Sequence, residues 1–178
     1  GHRHSLRQLR VVVTQPSAAD EQPPNVETDY SYELTVRNAT AELRAPSVFG
    51  AIYGLESFAQ MLQPSSADGL TLPHDSIVLR DAPAYRWRGV MLDVGRRFFP
   101  IDLLHNLMET MAAVKMNVVH LHASDYCRWA VESKLYPTLT RDYLASGNPF
   151  LDEGWKAGFG FFTQDDIKAL MAYAKDRG

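Results

Sequence analysis

The sequence predicts two regions of different fold class. Residues 1–82 read as a small α+β domain, one helix against an antiparallel sheet, and residues 83–178 as the first two β/α units of a (β/α)8 TIM barrel. Three observations carry this. The front half holds short alternating apolar runs and one longer helical run. From Arg88 the pattern changes to strand, helix, strand, helix, which implies parallel strands joined by crossovers. Both apolar strands of that second pattern end in charged residues, and a buried parallel strand ending in Arg or Asp is how such a barrel presents a site.

The elements follow in order. Leu9 to Thr14 is a short β-branched strand, and Pro16 to Asn25 is a loop rich in Pro, Ala, Asp and Glu. From Tyr30 to Val36 the chain alternates at the strand period, with Tyr30, Tyr32, Leu34 and Val36 on one face. Asn38-Ala39-Thr40 is a turn and Ala41 to Arg44 the returning strand of a hairpin. Pro46 opens a helix whose apolar stripe is Ile52, Leu55, Ala59 and Leu62, flanked by Val48, Ala51 and Phe58. Gly50 and Gly54 each cost roughly 1 kcal/mol in a helix relative to Ala, so their spacing implies a flat side that a sheet approaches closely. Pro64 to Gly69 is a loop, Ser76 to Leu79 a strand, and Asp81-Ala82-Pro83 a turn and boundary.

In the second region, Val90-Met91-Leu92 is strand one. Pro100 and Asp102 suit the first turn of a helix buried through Leu104, Leu107, Met108 and Met111. Val118 to Leu121 is strand two. Thr163 caps a further helix, with Asp165 and Asp166 in its first turn and Ile167, Leu170, Met171 and Ala174 as its buried stripe. A full barrel of this class takes roughly 250 residues, so the chain reads as the front part of a longer protein, its barrel truncated.

Bulk properties exclude several classes. A net charge of −3 over 178 residues gives no reason to expect nucleic acid or an anionic membrane as partner. Runs such as Val11 to Val13 and Met116 to Leu121 are too short to span a bilayer. The start, Gly-His-Arg-His, has no Met and no apolar run of signal-peptide length. Cys127 is the single cysteine, which excludes an internal disulfide and a cysteine-based zinc cluster.

The candidate chemistry lies at the two strand ends. Arg96 follows strand one, and its guanidinium is a rigid fork of donors suited to adjacent hydroxyls or a carboxylate, or else a surface charge in a loop. Asp93 closes strand one and is placed to face a site or to hold the Arg96 loop by an ion pair. His120 and His122, two apart on a strand, point to one side; such a pair is either a metal-ligand arrangement, as in a metal-dependent hydrolase, or packed imidazoles. Asp125 ends strand two.

The run Arg88-Gly89-Val90-Met91-Leu92-Asp93-Val94-Gly95-Arg96-Arg97-Phe98-Phe99-Pro100 resembles the first barrel strand and loop of the β-N-acetylhexosaminidases, glycoside hydrolase family 20. Lys115-Met116-Asn117-Val118-Val119-His120-Leu121-His122 followed by Asp125 resembles their second strand, at matching separation. The stretches Ser31 to Val36 and Val48 to Phe58 are similar to the small domain many of these enzymes carry ahead of the barrel, where it is support without chemistry.

The resemblance implies a hydrolase that removes terminal β-linked N-acetylhexosamine with retention and with the substrate's acetamido group assisting. It implies that Arg96 binds sugar hydroxyls and that Asp125 is a site residue fixing the hydrogen-bond network of the catalytic acid. Asp93, His120 and His122 become supporting residues. Relatives commonly have His where Arg97 stands, Trp at Leu121 and a second Asp at Tyr126. The family's chemistry rests on an adjacent Asp-Glu pair after a His-x-Gly-Gly run. Asp152-Glu153 follows Asn148-Pro149-Phe150-Leu151 instead, so it reads as a rim loop, and the catalytic pair is expected beyond Gly178, leaving the chain inactive alone. Glu132, Lys134 and Tyr136-Pro137 resemble framework. No metal or organic cofactor is implied. The partners implied are N-acetylhexosamine-bearing glycans and a second copy of the full-length protein, and the compartment lysosomal or secreted. The competing reading without catalysis is a sugar-binding or interaction module.

Overall fold

The computed structural model describes residues 6–15, 24–37, 39–64, 70–125, 128–140 and 160–178. It divides into two compact units, Gly1–Arg86 and Trp87–Arg177. The expected loop residues 16–23 and 65–69, together with Asn38, Tyr126, Cys127, Asp152 and Glu153, lie outside the described residues.

The first unit is a four-stranded sheet with one helix on it. The strands are β1 (Gln8–Val13), β2 (Tyr32–Arg37), β3 (Thr40–Ala45) and β6 (Ser76–Asp81), in the order β1-β3-β2-β6. A short antiparallel pair, β4 (Gln63–Pro64) and β5 (Leu70–Thr71), flanks the stretch read as loop from sequence. The β2–β3 hairpin is present, with Leu34 opposite Leu43, and β6 pairs antiparallel with β2. The sheet is not wholly antiparallel, however, because β1 runs parallel to β3. A hairpin is legible from its tight turn. A parallel neighbour is reached only after intervening chain, and no local pattern records it.

Tyr30, Tyr32, Leu34 and Val36 are all buried, as the alternation required. They face helix α1 (Val48–Met61), which is capped by the Ser47 side chain accepting from the Gly50 N–H at 3.0 Å. The buried side of α1 is Phe49, Gly50, Ala51, Tyr53, Gly54 and Phe58, which corrects the expected stripe in part: Ala51 and Phe58 are buried and Ile52 and Leu62 pack on the core, but Ala59 is exposed. Leu55 and Val48 face solvent instead. The close approach of the sheet decides this. A Cβ on Gly50 would lie 2.5 Å from the Ser31 carbonyl oxygen, and one on Gly54 within 3.0 Å of the Tyr32 ring and closer still to Leu43. The glycines thus select the face, and Tyr53, stacked on Tyr30 at 4.7 Å, fills the space beside them.

The second unit is built on two parallel strands, β7 (Gly89–Asp93) and β8 (Val118–His122), with α2 (Ile101–Ala113) between them and α3 (Gln164–Lys175) after them. One face of the pair carries Leu92, Val119 and Leu121 into a core with Val94, Leu104, Met108, Phe162 and Leu170. The other face carries the register pairs Gly89–Val118, Met91–His120 and Asp93–His122. Leu104, Met108 and Met111 form the buried side of α2 as expected. Helix α2 ends with the Met116 N–H bonded to the Met111 carbonyl at 2.8 Å and Lys115 in the left-handed region (φ 60°), a Schellman-type stop. Asn117 then accepts from the Arg88 N–H at 3.0 Å, tying the starts of the two strands.

Helix α3 begins with a capping box in which Thr163 and Asp166 bond each other's backbone N–H groups. Leu170 is buried and Ile167 and Ala174 pack on the same core, whereas Met171 is 64% exposed and leaves the expected stripe. Tyr173 takes its place and stacks on His105 of α2 at 4.1 Å. Among the described residues no helix is long and apolar enough to cross a membrane.

Candidate active site

At the C-terminal ends of β7 and β8 the chain gathers four of the predicted residues. Asp93 is the last residue of β7, and its register partner is His122, the last of β8. Beyond β7 the loop turns at Val94 and Gly95, whose N–H groups both donate to the His122 carbonyl, at 3.1 and 2.8 Å. The turn is possible because position 95 has no side chain. A Cβ there would lie 2.9 Å from the Ser124 carbonyl carbon and 3.0 Å from the Asp125 nitrogen. Gly95 is the site residue that sequence reasoning missed. Its signal was a glycine between a strand end and a charged loop residue, a place where backbones approach.

Beyond β8 lies a short antiparallel pair, β9 (Ser124–Asp125) and β10 (Arg128–Trp129), which places Asp125 beside the β7 loop. Arg96 then spans the two strand ends. Its backbone N–H donates to Asp93 Oδ1 at 2.9 Å and its Nη1 bonds Asp93 Oδ2. Its Nη2 lies 2.7 Å from Asp125 Oδ2. His122 Nε2 lies 2.9 Å from that same oxygen. The side chains of Asp93 and Asp125 are 23% and 19% exposed, while that of Arg96 is 62% exposed. Two half-buried carboxylates thus hold one outward guanidinium. Burial acts to raise the Asp93 pKa, but the Arg96 backbone N–H and guanidinium outweigh it, with a smaller contribution from His122. The carboxyl is held below its ordinary value.

His120 does not join this cluster. It lies one register pair back, beside Met91, and is exposed. The metal reading based on His120 and His122 is therefore not the arrangement observed. Among the described residues the donors close enough to share a cation are Asp93, His122 and Asp125, with ligand atoms within 4.8 Å of one another. Arg96 already bonds both of those carboxylates and supplies positive charge there. Glu132 is framework in the literal sense: its N–H donates to the Phe162 carbonyl at 2.8 Å and its carboxylate accepts from the Gln164 N–H at 3.2 Å, holding the start of α3. Arg97 lies with its guanidinium 6.0 Å from the Phe99 ring centre. A separate groove of about 480 Å³ in the first unit is lined by Ser31, Glu33, Arg44 and Arg80, and shares no residue with the cluster.

Comparison with known proteins accounts for both regions. Residues 85–178 match the family model for the catalytic domain of glycosyl hydrolase family 20, and residues 1–61 match the model described as beta-acetyl hexosaminidase like. The chain is 33% identical over 176 residues to the beta-hexosaminidase subunit beta of Entamoeba histolytica, and 30% identical over 173 residues to that of Homo sapiens. These alignments cover 98% and 97% of this chain and 29% of each relative. Among solved structures, it superposes on a Flavobacterium johnsoniae chitobiase with a TM-score of 0.74 at 31% identity, covering 95% of this chain and 23% of that one. A glycoside hydrolase family 20 beta-N-acetylglucosaminidase gives a TM-score of 0.74 at 30% identity, covering 95% of this chain and 31% of that one. With matching models over both units and a matching fold, the chain belongs to glycosyl hydrolase family 20.

Proposed function

We propose that these residues form the supporting domain and one wall of the active site of a β-N-acetylhexosaminidase, which cleaves terminal β-linked N-acetylhexosamine from glycans. The observation that carries this is the Asp93–Arg96–Asp125 bridge at the C-terminal ends of two parallel strands, the place where barrel enzymes do their chemistry. A guanidinium locked between two carboxylates is a preorganised donor for vicinal sugar hydroxyls, and the carboxylates beside it can accept from those hydroxyls. The row of Gly89, Val118, Met91 and His120 then lines a barrel interior that further strands complete.

The reaction proposed is retaining and substrate-assisted. The acetamido oxygen attacks the anomeric carbon while an acid protonates the leaving oxygen; water then opens the oxazolinium ion. In this reading Arg96 holds the sugar, Asp125 fixes the network beside the acid, and the acid and its partner Asp come from elsewhere in the barrel. Residues 1–178 alone are then inactive.

The test uses the protein at its natural full length with two chromogenic substrates, an N-acetyl-β-glucosaminide and the matching β-glucoside. Turnover confined to the acetamido substrate, releasing the β-anomer first, supports the reading. Equal turnover of both would remove the substrate-assisted step, and no turnover of either across pH would leave a sugar-binding role in place of catalysis.

A further inference from the structure

The structure points to His122 as a positioning residue that sets the Arg96 guanidinium through Asp125. It rests on the reading of Arg96 as a sugar-holding group. His122 touches both arms of the bridge. Its carbonyl accepts from Val94 at 3.1 Å and Gly95 at 2.8 Å, which pins the loop immediately before Arg96. Its ring Nε2 lies 2.9 Å from Asp125 Oδ2, the oxygen that also meets Arg96 Nη2 at 2.7 Å. Its strand neighbour is Asp93, the second carboxylate on Arg96.

The terminal torsion of an aspartate is broad and roughly two-fold, so nothing intrinsic selects which oxygen faces a partner. A ring N–H from His122 fixes that torsion and presents Oδ2 to Arg96. The contact calls for the tautomer in which Nε2 carries the proton, because an ionised carboxylate only accepts. Arg96 bonds carboxylates from both strand ends, and loss of the His122 contact removes one of the bonds that set the Asp125 torsion and weakens its hold on the guanidinium. His122 thus acts on substrate binding without touching substrate. His120, two residues earlier on the same strand, lies outside the cluster and serves as an internal control.

The experiment is steady-state kinetics on the full-length protein with a chromogenic N-acetyl-β-glucosaminide, with melting temperatures alongside. His122→Phe keeps a ring but removes the donor, and is expected to raise KM about tenfold while kcat changes by less than about threefold. His122→Gln places an amide N–H near the former Nε2 and should return KM to within about threefold of the parent, while the shorter His122→Asn should not. If the Phe variant fails to fold, the Gln and Asn pair decides alone. Arg96→Ala is the control for the underlying reading. If it raises KM while the His122 variants leave KM unchanged, the positioning role is overturned and the Arg96 reading stands. If Arg96→Ala also leaves KM unchanged, both fall. A raised KM that Gln does not rescue, with a lowered melting temperature, would reduce His122 to packing.

Discussion

The four-stranded sheet and the β7–β8 pair both carry charge on the face turned away from their helices, yet the charges are organised differently. On the four-stranded sheet, Glu33 meets Arg80 at 2.8 Å, and Glu42 lies between Arg10 and Arg44 at 3.4 and 2.9 Å. Glu33 and Glu42 are 39% and 36% exposed, and their partners are cross-strand or same-strand neighbours on an open surface. At and beyond the ends of β7 and β8, two better-buried carboxylates share one guanidinium, and they sit at or past the strand ends rather than along the strands. Contact distance alone does not separate surface pairing from a site, since the exposed Arg86–Glu27 pair lies at 2.7 Å, the same as Arg96 to Asp125. Burial of the acidic partners, their convergence on one cation, and the end of the sheet they occupy do.

That contrast can be broken at several points. The largest effect is expected at Arg96. In the full-length protein Arg96→Ala should lower kcat/KM on the order of 10–100-fold through lost charged hydrogen bonds, while Arg80→Ala leaves it unchanged; comparable kinetics for the two variants would erase the distinction. Next comes Gly50→Ala. Helix propensity alone would make this stabilising by about 1 kcal/mol. The Ser31 carbonyl 2.5 Å from the new Cβ should reverse the sign, with a net loss of roughly 1–3 kcal/mol in denaturant unfolding. A more stable variant would show that the helix does not approach the sheet as closely as described.

Thr163→Ala removes one half of the capping box and should cost about 1 kcal/mol, read as a melting temperature lower by a few degrees. A smaller effect concerns acid. Because the Asp93 pKa is lowered in the folded state, its contribution to stability is complete above the unfolded value near 3.9 and is lost as pH falls through the lower folded value. Asp93→Asn should flatten that part of the acid-unfolding curve; an unchanged curve would mean Arg96 does not hold the carboxylate in solution. The smallest effect is at Glu33→Gln, where exposure leads to no measurable shift in melting.

Much of this organisation was legible in the sequence, and the exceptions share a cause. Alternation exposed the Tyr30-to-Val36 face, and spacing exposed the buried sides of α2 and the cap at Thr163. The strand pattern put Asp93 at the end of strand one and Arg96 just beyond it, where they are found; Asp125, read as ending strand two, lies instead in β9, because β8 stops at His122. What failed depended on partners remote in sequence. The parallel place of β1 needed knowledge of β3. The α1 stripe was centred on Leu55, which is exposed, although the flat side read from Gly50 and Gly54 is present and decides the buried face. Met171 was placed inside by period, while Tyr173 found a better partner in His105. His120 and His122 looked equivalent by spacing, and only Asp125, brought back by the β9 turn, distinguishes them.

The central claim is that Arg96, held between Asp93 and Asp125, meets the sugar. The most direct measurement is a crystal structure of the full-length protein with N-acetylglucosamine bound. The account predicts Arg96 nitrogens within about 2.7–3.2 Å of ring hydroxyls, with both carboxylate contacts retained. A sugar seated away from Arg96, or an Arg96 released from Asp93 and Asp125 to lie in solvent, would contradict it.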